Sequence, residues 1–157
     1  MLRAPPPYHA LHEGGGGPEF DMNILIVEAR YHPDVAEALM DGATAALEKG
    51  LARFERISVP GVLEIPAAIA IAVNAGFSGY VALGAVTGPA HVAQTFYAET
   101  MRALTRLSAT GLALGQGIVL AADEGAARDL AVSHDIGGDA ARACLSLTTI
   151  GQRLGLS

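Results

Sequence analysis

From Asn23 onward, short apolar runs alternate with longer stretches of helical period. Asn23-Ile24-Leu25-Ile26-Val27 has no polar alternation, the pattern of a strand covered on both faces. Pro33-Asp34 open a helical stretch to about Lys49, with Val35, Leu39, Ala43, Ala46 and Leu47 on one face and Gly50 as its stop. Arg53 to Val59 reads as a second strand, closed by Pro60-Gly61. The Ala/Ile-rich stretch from Pro66 to Asn74-Ala75-Gly76 reads as a helix that is apolar on nearly all sides and therefore buried. Tyr80 to Val86 is a third strand, Ala90 to about Leu107 a third helix, and Leu112 to Leu120 a fourth strand despite Gly115 and Gly117. Helices near Gly125 to Val132 and from about Asp139 to Leu154 close the chain.

Four buried strands alternating with helices require crossover connections. The pattern therefore predicts an α/β fold, a three-layer α/β/α sandwich of the flavodoxin-like kind around a central four-stranded parallel sheet. Ligands of such sheets bind beyond the carboxyl ends of the strands, so the site is sought after Val27, Val59, Val86 and Leu120.

Residues 1–21 break this rhythm. Pro5-Pro6-Pro7 and the four glycines before Pro18 show no periodicity, and such a segment buries too little to offset its ordering entropy. It reads as an extension to a single domain over 22–157, and prolines rather than an apolar run follow Arg3, unlike a secretory leader. Charge narrows the partners: ten Lys plus Arg against sixteen Asp plus Glu give a net −6. Nucleic acid needs a concentrated basic surface and is not expected as a partner. No apolar run reaches the roughly 18 residues of a membrane span. One cysteine, Cys144, forms no internal disulfide, no Cys/His spacing suggests a metal site, and a cytoplasmic location is expected. Ala, Val, Ile and Leu carry an apolar fraction of 51%, more than a small monomer covers, which points to a homo-oligomer.

The four loops carry the chemistry. After the first strand, Tyr31 puts a ring at the mouth of the sheet, either to stack on a planar heterocycle or to pack over its own loop. After the second, Glu64 sits among apolar residues at a helix start, as a helix-dipole partner or as an acceptor for ligand hydroxyls, with Val62 and Leu63 offering backbone groups. After the third, Ala85-Val86-Thr87 lead into Gly88-Pro89-Ala90-His91, a small-residue turn into a helix whose first amides lack internal partners; it is either a phosphate cradle or only a cap. Arg128, beyond the fourth strand, is either a two-pronged phosphate contact or a solvated surface residue.

Taken together, Ile24-Leu25-Ile26-Val27-Glu28-Ala29-Arg30-Tyr31, Val59-Pro60-Gly61-Val62-Leu63-Glu64-Ile65-Pro66, Val81-Ala82-Leu83-Gly84-Ala85-Val86, Gly115-Gln116-Gly117 and Gly137-Gly138-Asp139 resemble the 6,7-dimethyl-8-ribityllumazine synthases of riboflavin biosynthesis, from about Asn23 to Leu154. The resemblance implies a cofactor-free transferase that condenses 5-amino-6-(D-ribitylamino)uracil with 3,4-dihydroxy-2-butanone 4-phosphate. It implies a homopentamer, or a multiple of pentamers, with sites between neighbours. By the same resemblance Tyr31 stacks on the pyrimidine, Val62, Leu63 and Glu64 hold the ribityl chain, and Ala85, Val86 and Thr87 line the ring pocket. Gly88, Pro89, Ala90 and Arg128 form the phosphate site, and Gln116 takes the place of a neighbour's aromatic. His91 is the candidate acid/base.

The family's turn reads Ile-Arg-Gly-Glu-Thr-x-His, whereas Thr87-Gly88-Pro89-Ala90-His91-Val92 is one residue shorter. Counted back from Glu99 and Arg102, the family's His position falls on Val92, and its phosphate-side Lys falls on Ile136. One residue is about 100° of helix, so His91 reaches the pocket only if the helix begins later. The altered turn supports an alternative: a catalytically impaired relative that binds flavin or lumazine, or serves as an assembly scaffold.

Overall fold

A computed structural model describes residues 22–156; the extension expected over 1–21 lies outside the described residues. The chain runs β1 (Asn23–Ala29), α1 (Pro33–Lys49), β2 (Arg53–Val59), a single 3-10 turn (Val62–Glu64), α2 (Ile65–Ala72), β3 (Gly79–Thr87), α3 (Ala90–Ser108), β4 (Leu114–Ala121), α4 (Glu124–Ser133) and α5 (Ile136–Arg153). The four strands form one sheet in the order β2-β1-β3-β4, every pair parallel. Val27 lies beside Ile57 on one flank and Ala82 on the other, so the carboxyl ends of β1, β2 and β3 meet along one edge.

Strand alternation divides the core into two layers. Ile24, Ile26, Val81, Leu83 and Val119 face α1, α4 and α5, where they meet Val35, Leu39, Ala43, Ala127 and Ala141. Leu25, Val27, Tyr80, Ala82 and Ile118 face the other way, onto Ile65 and Ile69 of α2 and Ala93 and Leu104 of α3. This is the expected three-layer sandwich with its four-stranded parallel sheet.

Three expectations are corrected. The second strand is not covered on both faces: β2 is an edge strand whose Arg53, Glu55, Arg56 and Ser58 are exposed. Its charges are how an unpaired edge stays in water. The apolar helix after Pro66 is neither long nor buried. It ends at Ala72, and only Ile65 and Ile69 are buried in it, while Ile71 is 83% exposed. Eight residues at the margin of a layer present one narrow stripe to the chain's own core, so the remaining apolar side chains stay uncovered. The last helix begins at Ile136 rather than Asp139, because Gly137 and Gly138 serve packing instead of breaking the helix. A Cβ on Gly137 would run into the carbonyl of Leu39 in α1, and one on Gly115 of β4 into the carbonyl of Ala140 in α5.

Two predictions follow from this core. Gly115→Ala forces backbone apart rather than a flexible side-chain tip and is expected to destabilise the fold by about 2–3 kcal/mol, read as a lowered urea midpoint at unchanged slope. The second concerns alkaline stability. Burial pushes the Cys144 thiol up from 9.0 to about 12, and burial likewise raises the Tyr80 hydroxyl. Both groups keep their protons longer folded than unfolded. Their contribution is complete below about pH 9 and is lost as the pH rises toward 12, since the unfolded chain ionises first. Cys144→Ala is therefore expected to flatten part of the fall in urea midpoint above pH 9. An unaltered fall would show that the thiol does not drive it.

Candidate active site

The first loop is held by a buried charge. Glu28, at the carboxyl end of β1, is 2% exposed, and Arg30 Nη1 donates to its Oε1 at 2.8 Å. Ser58 Oγ of β2 donates to its Oε2 at 3.3 Å, with Arg56 at 3.9 Å. The Glu28 carboxylate raises the Arg30 guanidinium above its ordinary pKa, and a second prong reaches Glu37 of α1 at 3.4 Å. With Arg30 turned back in this way, Tyr31 projects outward, 75% exposed, its ring edge-to-face with His32 at 4.8 Å.

The second loop is seated by a glycine in the neighbouring strand. A Cβ on Gly84 would stand 2.7 Å from Val62 Cγ1, so this gap in β3 lets Val62 settle on the sheet. The Glu64 amide donates to the Gly61 carbonyl at 3.1 Å, closing the turn and leaving Leu63 and Glu64 exposed. Pro66 then falls in the first turn of α2, where its missing N–H costs nothing.

The third loop completes a cleft of about 380 Å³. The expected Tyr31, Val62, Leu63, Glu64, Ala85, Val86 and Thr87 line it together, joined by Gly61 and Phe96. Aromatic and aliphatic walls with one carboxylate suit a planar heterocycle carrying a hydroxylated tail. Among the described residues no group of three or more His, Cys, Asp or Glu converges as a metal site.

The other expected residues lie elsewhere. Gln116 is exposed on β4, its Oε1 accepting from the Ile118 amide at 3.0 Å. Arg128 lines a separate groove of about 360 Å³ between α1 and α4, among Asp34, Glu37, Asp41 and Asp135. In the expected phosphate turn, Gly88 has φ +126° and its amide donates to the Ala122 carbonyl at 3.3 Å. Pro89 offers no donor, which leaves the start of α3, from Ala90, as the open end.

The profile of 6,7-dimethyl-8-ribityllumazine synthase matches residues 21–151. The chain belongs to the 6,7-dimethyl-8-ribityllumazine synthase family. It is 44% identical over 144 residues to 6,7-dimethyl-8-ribityllumazine synthase 1 of Rhizobium meliloti (strain 1021), covering 85% of this chain and 94% of that one. It is 43% identical over 152 residues to the enzyme of that name from Methylocella silvestris, covering 87% and 93%. To that from Sphingopyxis alaskensis it is 38% identical over 138 residues, covering 85% and 98%.

Against the lumazine synthase turn, α3 begins at Ala90, so the helix does not start late enough to swing His91 inward. Phe96 lines the cleft, and Val92 lies one turn before it on the same face. His91 is exposed and does not line the cleft.

Two residues here escape a reading by spacing. Phe96 carries a weak signal, its place between Val92 and Glu99 on one helix face. His32 carries none: its Nε2 lies 2.8 Å from Thr87 Oγ1, 55 positions away, and its Nδ1 is 3.9 Å from Glu124 Oε1.

Tyr31→Ala is expected to weaken binding of riboflavin, used as a planar probe, about tenfold, since an aromatic stack contributes about 1 kcal/mol beyond its buried area. Calorimetry checks this, and unchanged affinity would mean that Tyr31 only packs over its own loop.

Proposed function

We propose that this chain condenses 5-amino-6-(D-ribitylamino)uracil with 3,4-dihydroxy-2-butanone 4-phosphate to give 6,7-dimethyl-8-ribityllumazine, a transferase step of riboflavin biosynthesis. The observation that carries the reading is the gathering of Tyr31, Val62 to Glu64 and Ala85 to Thr87 in one cleft of a member of this family. Tyr31 stacks on the pyrimidine, Glu64 and the turn backbone accept the ribityl hydroxyls, and Ala85 to Thr87 border the ring. The amine attacks the ketone carbon and water leaves to give the imine, phosphate is eliminated, and ring closure by the ribityl-bearing nitrogen expels a second water. Orientation of two bound reactants supplies several kcal/mol of the barrier lowering without a covalent protein intermediate.

The reading extends to a homo-oligomer, a pentamer or a multiple of pentamers, in the cytoplasm. Ile71 at 83%, Val92 at 42% and Phe96 at 43% exposed are apolar surface that a second copy would cover. Gln116 and Arg128 lie away from their own chain's cleft and are free to serve a neighbour's, with Gly88, Pro89 and Ala90 supplying the phosphate turn.

Mixing both substrates with the purified chain and following lumazine absorbance is expected to give product above the uncatalysed rate, from particles much larger than 16.1 kDa by light scattering. His91→Ala is expected to change turnover little. Pyrimidine binding without product would overturn the enzyme reading in favour of a binding protein, and a stable monomer at micromolar concentration would overturn the shared site.

A further inference from the structure

His32 stands at the N-cap of α1, yet its side chain makes no capping hydrogen bond. The backbone alone does that work, the His32 carbonyl accepting from the Ala36 amide at 2.9 Å. The ring instead turns across the carboxyl edge of the sheet, its side chain 16% exposed, and meets β3 at Thr87 and the start of α4 at Glu124. Thr87 lines the cleft, so a carboxylate, an imidazole and a hydroxyl stand in series that ends at a residue of the cleft wall. Glu124, at 3.9 Å, is an ion-pair neighbour rather than a hydrogen-bond acceptor, and its charge favours the tautomer with the proton on Nδ1. Nε2 is then the acceptor of the Thr87 hydroxyl proton.

We propose that His32 is a positioning residue for proton transfer at the cleft, acting through the Thr87 hydroxyl with Glu124 behind it. The inference rests on the condensation reading above and deepens it by assigning the proton path. As the amine nitrogen bonds to the ketone carbon, its surplus proton passes to Thr87 Oγ1 while the Thr87 hydroxyl proton passes to His32 Nε2. The imidazolium so formed lies beside the Glu124 carboxylate. The same two transfers then run in reverse onto the former carbonyl oxygen, giving the neutral carbinolamine and restoring the neutral ring. A second cycle carries the remaining N–H proton to that oxygen as the C–O bond breaks and the C=N bond forms, so the oxygen leaves as water. Two protons have moved from nitrogen to oxygen, and no oxidant or metal is consumed. The ring meets Tyr31 and faces Glu124, and Asp34 and Asp123 are the neighbouring ionisable residues, in the first turn of α1 and at the cap of α4. Within β3, the sole titratable side chain is Tyr80, at the opposite end of the strand.

The test measures kcat and KM across pH for the full chain, for His32→Asn, which keeps a hydrogen-bonding group beside Thr87 but does not titrate, for Thr87→Val, and for the double variant. His32→Asn is expected to lower kcat about 10²-fold with KM little changed, and to remove the acid limb that imidazole protonation puts on the native kcat profile. Thr87→Val is expected to remove the same limb, and the double variant to be no slower than the slower single one, because the groups act as a unit. A His32→Asn chain with the native kcat and pH profile overturns the relay while leaving the condensation reading intact. So does a loss of kcat that keeps the native pH dependence and follows a lowered urea midpoint, which is the mark of a structural role. A native chain that forms no product overturns both.

Discussion

At its points of closest approach α5 lies against β4 and α1 with no room for a side chain, and the frame of the candidate site is built outward from that contact. Gly115 admits the Ala140 carbonyl, and Gly137 admits that of Leu39. Two glycines in the first turn of a helix cost about 2 kcal/mol relative to alanine. Burying roughly 80 Å² of apolar surface offsets that, and Ala140, Ala141 and Cys144, all at 0–1% exposure, lie along the same contact. The start of α5 thereby holds α1 in place, α1 presents Tyr31 and His32 from its N-terminal end, and α4, packed beside both helices, brings Glu124 to face His32.

Electrostatics sets the other half of the frame. A carboxylate as buried as Glu28 is tolerable only when paired. Its pairing with Arg30, Ser58 and Arg56 joins the carboxyl end of β1 to the exposed edge strand. Desolvation absorbs much of the gain from such a cluster, so its consequence is geometric more than energetic. Arg30 is spent on Glu28 and Glu37, and the next side chain, Tyr31, is left facing water across the cleft.

The sheet and its helices are legible in the sequence because burial on two faces leaves continuous apolar runs, as in Ile24 to Val27. The same rule fails for Arg53 to Val59, whose mixed charges fit a strand equally well at an edge, and for Ile65 to Ala72. There the apolar residues record surfaces that the described residues do not cover. Of the candidate site, the loops that follow β1, β2 and β3 are readable because parallel order brings their ends together. Gln116 and Arg128 are not, since position after a strand does not say which face or edge a side chain takes. His32 is hidden for a further reason. Its partner lies 55 residues away, and the helix cap that its position suggests is made by its backbone alone.

The cleft and the proton path differ in what they require. Tyr31 at 75%, Leu63 at 46% and Phe96 at 43% exposed are walls with one side in water, and a pocket that holds a small molecule buries most of its surface. The cleft of one chain is therefore open on one side, and in the proposed assembly a neighbouring copy closes it. Tyr31 and Phe96 are the two aromatic walls that the chain itself brings to the cleft. His32, Thr87 and Glu124, by contrast, belong to one chain and are brought together by its own fold. In that proposed assembly substrate affinity depends on the neighbouring copy, whereas the groups proposed to move the proton are in place before any second copy arrives.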